Sequence, residues 1–424
     1  MKKVSTILIG AGARGIIYSS YAIKHPDELQ VVAVAEPDDF RRNYIKDKHG
    51  IPDDMCFSAW KEVLSLPKFA DSVMICTQDK MHHEPAMAAI EKGYHILLEK
   101  PISPSPRECI EIAEAANAKG VNVVVCHVLR YTSFFSKIKE IIDSGAIGDV
   151  VSIMHSENVG FYHQAHSFVR GNWRNSRESS PMILAKSCHD TDIIQWLIGK
   201  ECLKISSFGS LKHFRRENAP ENTPDRCIEG CREASRCPYD AVKFYLREEK
   251  NNPWFSQAVT GVVGPSEEQI EEALKNGPYG RCVYKCDNDV VDHQVVNMQF
   301  EDDITVSFTM SAFTPQIDRT IKIMGTKGEL GGKMGKEMSI VLHDFLTKTE
   351  KKIECELPAS GGHGGGDVGI MKAFCRLLNG NYSSNALSDI SISATNHMLS
   401  FAAEESRISG RVIDIKEFSK FVMS

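Results

Sequence analysis

The sequence predicts an α/β protein of two domains, an N-terminal domain on a parallel sheet followed by an α/β domain with a largely antiparallel open sheet. Three observations carry this. The first ~130 residues alternate short β-branched runs with amphipathic helical stretches, the pattern of βαβ units. Between residues 292 and 342, strand-like runs (QVVNMQF, ITVSFTM, RTIKIMG, MSIVLHD) follow one another with turn signals and no helices between them. At 424 residues the chain also exceeds what one hydrophobic core serves.

In order, strands are expected at residues 4–9, 31–35, 72–76, 95–98 and 122–128. Helical patterns at 85–92 and 106–119 each close on a glycine, Gly93 and Gly120, suited to a left-handed C-cap. Beyond His127 the texture changes, so the boundary is placed there: a domain of residues 1–127, then one of 128–424. The second begins with a helix at 134–144 and a strand at 150–155, then an irregular stretch rich in His, Arg and Trp. An insertion containing cysteines occupies residues 212–288, a glycine-rich loop spans 361–366, and helical patterns follow near 368–378 and 394–408.

Composition narrows the function. A formal charge of -6 without a long basic stretch offers no footprint for nucleic acid or an anionic membrane surface, which leaves a small-molecule partner. No stretch approaches the roughly 20 apolar residues that span a bilayer. The opening MKKVSTILIGAG is too short for a secretory segment, and thirteen cysteines, an odd number, do not read as a disulfide framework. A reducing cytoplasm is the expected compartment.

Gly10, Gly12 and Gly15 form a GxGxxG turn directly after the first strand and before a helix, with Ala13 and Arg14 completing it and Glu36 closing the second strand. This is a Rossmann fingerprint. Gly10 allows the tight turn, Gly12 lets a pyrophosphate approach the backbone, and Gly15 lets helix and strand pack closely. Glu36 suits ribose hydroxyls and repels a 2′-phosphate, which favours NAD over NADP; Arg41 and Arg42 either face a phosphate or open a solvated helix.

The segment 77–101, TQDKMHHEPAMAAIEKGYHILLEKP, resembles the Gfo/Idh/MocA oxidoreductases, with their Thr…His pair and Glu-Lys-Pro at successive strand ends. Similarity continues through residues 127–149, the region of His189, IKIMGTKGEL at 321–330 and AAEESRISG at 402–410. The resemblance implies that Lys100 is the active-site lysine, reaching nicotinamide ribose and substrate hydroxyl, and that Thr77, His82, Glu99 and Lys100 line the cofactor. Chemistry agrees, because an ammonium in a dry cleft stabilises a developing alkoxide. The Lys100-Pro101 bond is a candidate for the cis form.

His189 matches the family's Asp-x-x-x-His-x-x-Asp pattern at the histidine and at Asp192, and imidazole suits proton removal near neutral pH. The resemblance departs at Ala185, which stands where many relatives carry aspartate. Lys186 beside it is either a second positive charge in the site or a salt-bridged surface residue. Asp190 and Asp192 are expected to cap or orient the helix.

In ENVGFYHQAHSFVRGNWRNSR, residues 157–177, His163, His166, Arg170, Trp173 and Arg174 read as a substrate loop, since aromatic faces stack on sugars and Arg or His donors hold hydroxyls and carboxylates. An interdomain or subunit contact would use the same residue types. His363, in GGHGGGD, is a further substrate candidate. Cys227, Cys231 and Cys237, with Cys282 and Cys286, have spacings suited to a structural Zn²⁺ or an iron-sulfur cluster; the alternative is reduced, partly buried thiols.

The function these readings imply is NAD-dependent oxidation of a secondary hydroxyl on a sugar, cyclitol or sugar derivative, in a homodimer or homotetramer. Two alternatives stay open. One is redox-neutral glycoside cleavage, elimination or epimerisation with retained NAD, and the other is an NAD-sensing binding protein without chemistry.

Overall fold

The computed structural model describes residues 2–356, 363–382 and 384–423. Gly361 and Gly362 of the expected glycine-rich loop lie outside the described residues.

The first sheet contains β1 (Val4–Ile9), β2 (Leu29–Ala35), β3 (Cys56–Phe57), β4 (Ser72–Ile75), β5 (His95–Leu98) and β6 (Val123–Val125). All neighbours run parallel in the order β3-β2-β1-β4-β5-β6. The order reverses between β1 and β4, and in open α/β sheets ligands bind above such a switch point. Local chemistry explains the helix Pro106–Lys119: Ser105 accepts from the Glu108 N–H, proline occupies the first turn, and Gly120 is left-handed (φ 68°).

The second sheet has nine strands: β7 (Val150–Asn158), β8 (Cys202–Ser210), β9 (His293–Phe300), β10 (Thr305–Ser311), β11 (Asp318–Gly325), β12 (Gly328–Met334), β13 (Met338–Asp344), β14 (Glu350–Ile353) and β15 (Ile413–Asp414). Their order is β14-β13-β12-β11-β7-β10-β9-β8-β15, antiparallel except for the β7–β10 pair. Helices cover one face, with Phe134, Ile138, Ile193, Leu197 and Ala402 in its core. On the opposite face Met154 and Phe208 are exposed.

Packing does not respect a cut at residue 127. Ile370, Met371 and Phe374 complete the core on one face of the parallel sheet, while Ile390, Ala394 and Met398 complete the other. The Val125 N–H donates to Ser388 O at 2.8 Å, so the C-terminal segment also docks on the edge strand β6. Residues far apart in sequence thus close the first domain.

Residues 157–177 differ from the expected irregular loop. β7 runs on to Asn158, and after Gly160 (φ 83°) a helical turn Phe161–His163 continues as a wide π-helix, Gln164–Arg170. Every residue from Gln164 to Arg170 is buried. A helix enclosed on all sides carries no amphipathic period, so its sequence does not announce it. The insertion between β8 and β9 has its own small core of Tyr245, Phe255, Ile270, Leu274 and Tyr279.

Asp192 joins three segments. Arg130, in the crossover after β6, donates to both of its carboxylate oxygens at 2.7 Å, and Asn396 donates to Oδ1 at 2.7 Å. Arg130 and Asp192 are both about 1% exposed. Burial works against the Asp192 charge, and Arg130 outweighs it, holding the carboxyl below its usual range. Arg130→Leu should lower unfolding stability by about 3–5 kcal/mol, because Asp192 would stay buried and unpaired. Urea unfolding checks this; an unchanged midpoint would contradict it.

Candidate active site

The fingerprint turn sits above the switch point. Gly10 has φ 89°, and a Cβ there would lie 2.7 Å from Cys76 O, just past the end of β4; one on Gly15 would lie 2.1 Å from Gly10 O. A Cβ on Gly12 would meet nothing within 4 Å, so there is open space beside its Cα. The helix Ala13–Lys24 has no side-chain cap and no acidic residue in its first turn. Its leading N–H groups therefore suit a pyrophosphate. Glu36, nearly buried, accepts from the Ala11 N–H (2.7 Å), the Asp38 N–H (3.1 Å) and Arg41 (2.7 Å). Arg42 donates to Glu36 O and pairs with Asp39. These residues fit a dinucleotide, with a carboxylate and a guanidinium at the ribose end.

Arg14, next in the turn, donates to Glu99 Oε1 at 2.7 Å and pairs with Asp367 at 2.6 Å, and Tyr18 also donates to Glu99. Burial opposes the charge of Glu99, but Arg14 prevails and holds it below the usual range. Glu99 in turn accepts from the Lys100 N–H at 2.6 Å. The Lys100–Pro101 peptide is cis. His82 is buried, with Nδ1 2.7 Å from Pro101 O and Nε2 3.1 Å from Thr77 O, so it braces the Lys-Pro turn. The Thr77 hydroxyl donates to Met81 O.

The Lys100 ammonium reaches into the second domain and donates to Ala185 O at 2.6 Å. Four residues on, His189 lies in the first turn of the helix Cys188–Ile198, one helical turn from Asp192 on the same face. Burial, then the charge of Lys100, hold its imidazole well below the ordinary value, which keeps it neutral. Its Nδ1 is buried without a hydrogen-bond partner. The carboxylate missing at Ala185 is not replaced by another bonded to His189 among the described residues.

Lys186, its side chain 14% exposed, pairs with the fully buried Glu157 at 3.1 Å. Glu157 also pairs with Arg319, which donates to Asp190 at 2.8 Å; His155 meets Asp190 at 2.8 Å. Asp190 and Asp192 therefore orient their helix through ion pairs to other elements instead of capping it.

The expected substrate residues divide. His163 stacks edge-on to Trp254 (4.9 Å between centroids) and feels the charges of Lys186 and Lys100. The ring of His363 lies 5.8 Å from that of His189. The other four are committed elsewhere, which corrects their reading as sugar donors. His166 is bonded to Tyr245 Oη at 2.8 Å inside the insertion core. Arg170 is buried and spends its guanidinium on Tyr239 O (2.7 Å) and Arg281 O (2.8 Å). Trp173 donates to Asp79 at 3.1 Å, docking the segment on the loop after β4, and Arg174 grips Asp287 at 2.8 and 3.0 Å. Trp254, 44% exposed beside His163, is a functional candidate missed in the sequence. It lies in the insertion, over ninety residues from His163, and no local motif marks it.

The expectation of a structural metal is also corrected. Among the described residues no group of three or more His, Cys, Asp or Glu side chains is arranged to hold a metal ion. Cys227, Cys231, Cys237, Cys282 and Cys286 are free thiols, with the Arg170 guanidinium 3.7 Å from Cys227 Sγ.

Residues 4–127 match the model of the oxidoreductase family with an NAD-binding Rossmann fold, and residues 139–356 match its C-terminal alpha/beta domain. The chain belongs to the Gfo/Idh/MocA oxidoreductase family. YteT of Bacillus subtilis (strain 168) is 24% identical over 326 residues, 73% of this chain and 72% of that protein. The 2,7-anhydro-N-acetylneuraminate hydratase of Mediterraneibacter gnavus is 26% identical over 199 residues, 47% of this chain and 50% of its own. The NADP(+) scyllo-inositol 2-dehydrogenase IolW of Bacillus subtilis (strain 168) is 26% identical over 178 residues, 41% and 46%. The match thus spans only about half the length of the last two. An Agrobacterium radiobacter oxidoreductase, solved with NAD+, L-tartaric acid and magnesium, shares the fold with a TM-score of 0.69 at 14% identity, covering 98% of this chain and 99% of that one. No helix among the described residues is long and apolar enough to cross a membrane.

Several buried histidines give the fold a pH dependence. Burial pulls His127 down to about 4, and His166 and His397 down to about 3. Unfolded, they titrate near 6.5. Below that pH the unfolded chain takes up protons that the folded chain refuses, so stability present at neutral pH is lost as pH falls toward about 4, by about 1.4 kcal/mol per pH unit per histidine. Urea midpoints should be level near pH 7.5 and fall steadily from about pH 6.5 down to 4.5. A flat profile across that interval would contradict the neutral-histidine assignment.

Proposed function

We propose that the chain is an NAD-dependent oxidoreductase that oxidises a secondary hydroxyl of a sugar, cyclitol or sugar derivative. One observation supports this above the others: the Lys100 ammonium, leaving the end of β5, lies 2.6 Å from Ala185 O at the foot of the helix that carries His189. A cation and a neutral imidazole thus flank one cleft beside the fingerprint turn. Glu36 at the end of β2 favours NAD over NADP.

Bound NAD supplies the hydride acceptor. His189 removes the hydroxyl proton, and Lys100 donates to the oxygen as negative charge develops on it, an interaction strengthened by the dry surroundings. Glu99 holds the Lys100 backbone, and Arg14 and His82 hold the turn, so the ammonium is oriented before substrate arrives. Thr77 borders the nicotinamide side of the cleft. Trp254, backed by His163, offers an aromatic face to a sugar ring. The cytoplasm is the compartment this reading assigns, and the outer face of the large sheet, with Met154 and Phe208 exposed, suits a homo-oligomer contact.

A second reading draws on the hydratase relatives and on the missing aspartate at Ala185: transient oxidation with NAD retained, followed by elimination, hydration or epimerisation. Product analysis over sugars, cyclitols and glycosides separates the two, since net NADH accumulates only in the first. Under either, Lys100→Met should keep NAD affinity within a few-fold while turnover drops about 10³-fold. Turnover near that of the unaltered protein would refute the assigned role.

A further inference from the structure

A row of alternating charges runs from the core of the second domain to the cleft. Asp190 meets Arg319 at 2.8 Å, Arg319 pairs with Glu157, and Glu157 meets Lys186 at 3.1 Å. The first three links are buried and satisfied, whereas Lys186 is partly exposed and, among the described residues, has only a share of Glu157. Ala185, just before it, contributes a carbonyl, to which Lys100 donates at 2.6 Å. Lys100 has no carboxylate partner among the described residues. The other carboxylates nearby are spent: Glu99 and Asp367 on Arg14, and Asp192 on Arg130. Two ammoniums therefore stand at one wall of the cleft with less negative charge than they could hold.

The surrounding groups do not make up the difference. His163 and His189 are buried, and the Nδ1 of each lacks a hydrogen-bond partner among the described residues. Burial, then the charges of Lys186 and Lys100, hold His163 well below its ordinary value, and burial with Lys100 does the same to His189. Both rings are neutral, so they can bond to a ligand without balancing its charge. Burial also holds Lys186 down, against Glu157, with the charges of Arg319 and Lys100 adding to it. An anion in the cleft would relieve all of these, because attraction between charges strengthens where water is thinned out.

We propose that the substrate is an acidic sugar, a uronate or aldonate in type, whose carboxylate is held by Lys186 while Lys100 serves the reacting oxygen. This names the substrate class of the site described above and rests on that reading. A carboxylate fits better than a phosphate, since one ammonium is open for one negative charge. No guanidinium in the cleft is free to take a phosphate bidentately: Arg14, Arg130 and Arg319 are all engaged by carboxylates. A neutral sugar would leave Lys186 with nothing beyond its share of Glu157.

Titration calorimetry on the full chain loaded with NADH tests this, because with reduced cofactor no hydroxyl is oxidised. The pairs compared are D-glucuronate with D-glucose, D-galacturonate with D-galactose, and D-gluconate with D-glucitol. At least one acid should bind about 10-fold or more tightly than its neutral counterpart. Lys186→Gln should bring that ratio to within about 3-fold at unchanged NADH affinity and melting temperature. Ala185→Asp, which sets a carboxylate beside both lysines, should weaken the acid and spare the neutral sugar; it decides alone if Lys186→Gln does not fold. Absence of binding by every acid, equal binding of acids and their counterparts, or a preference that survives the variants would overturn the proposal. So would tighter binding of D-glucose 6-phosphate than of every acid. Normal turnover by Lys100→Met would instead remove the preceding reading, and the affinity ratios, measured without turnover, would still decide the charge preference.

Discussion

The buried pairing of Arg130 with Asp192 is the constraint on which the site depends. Two full charges out of water are tolerated only with both ends satisfied, and here a bidentate guanidinium and the Asn396 amide satisfy the carboxylate. The three partners come from the crossover after the parallel sheet, the helix of His189 and the long helix Ile390–Ser409. Because Asp192 and His189 sit one turn apart, fixing the first fixes the second. The imidazole is thereby held beside the lysine at the end of β5.

A second anchor lies at the dinucleotide end. Arg14 meets Glu99 and Asp367, so the fingerprint turn, the lysine-bearing strand end and a helix more than 350 residues away share one guanidinium. The two sheets are consequently not independent bodies joined by a linker. Helices from the C-terminal third finish both faces of the first sheet, and its cofactor turn is braced by residues beyond the second. Such weaving gives the cleft rigid walls, which electrostatic catalysis requires.

The legible parts of the sequence were those with local causes. β1, β5 and the helix Pro106–Lys119 fall at the expected bounds, because alternation, a serine cap and a terminal glycine are written within each segment. β2 starts two residues early, at Leu29, where exposed Gln30 interrupts the apolar run. Within 157–177 the stretch 164–170 is illegible for the opposite reason: a wholly buried π-helix shows neither a period of two nor one of 3.6. Its histidines and arginines resemble sugar donors in composition, yet Arg170, Trp173 and Arg174 meet partners 69 to 113 residues distant in sequence. The cysteine spacings likewise suggested a metal without disclosing the guanidinium beside them.

By itself, the sequence determined the class of fold and the dinucleotide turn, because glycine geometry, strand alternation and motif order are properties of neighbouring residues. Only the tertiary structure decided which charged side chains face the cleft and which are consumed as struts. Lys186 and Arg319 are indistinguishable in sequence from surface cations, and Trp254 from a core aromatic. Their roles follow from partners brought near by folding, since the worth of a charge depends on its surroundings and its counter-charge rather than on its place along the chain.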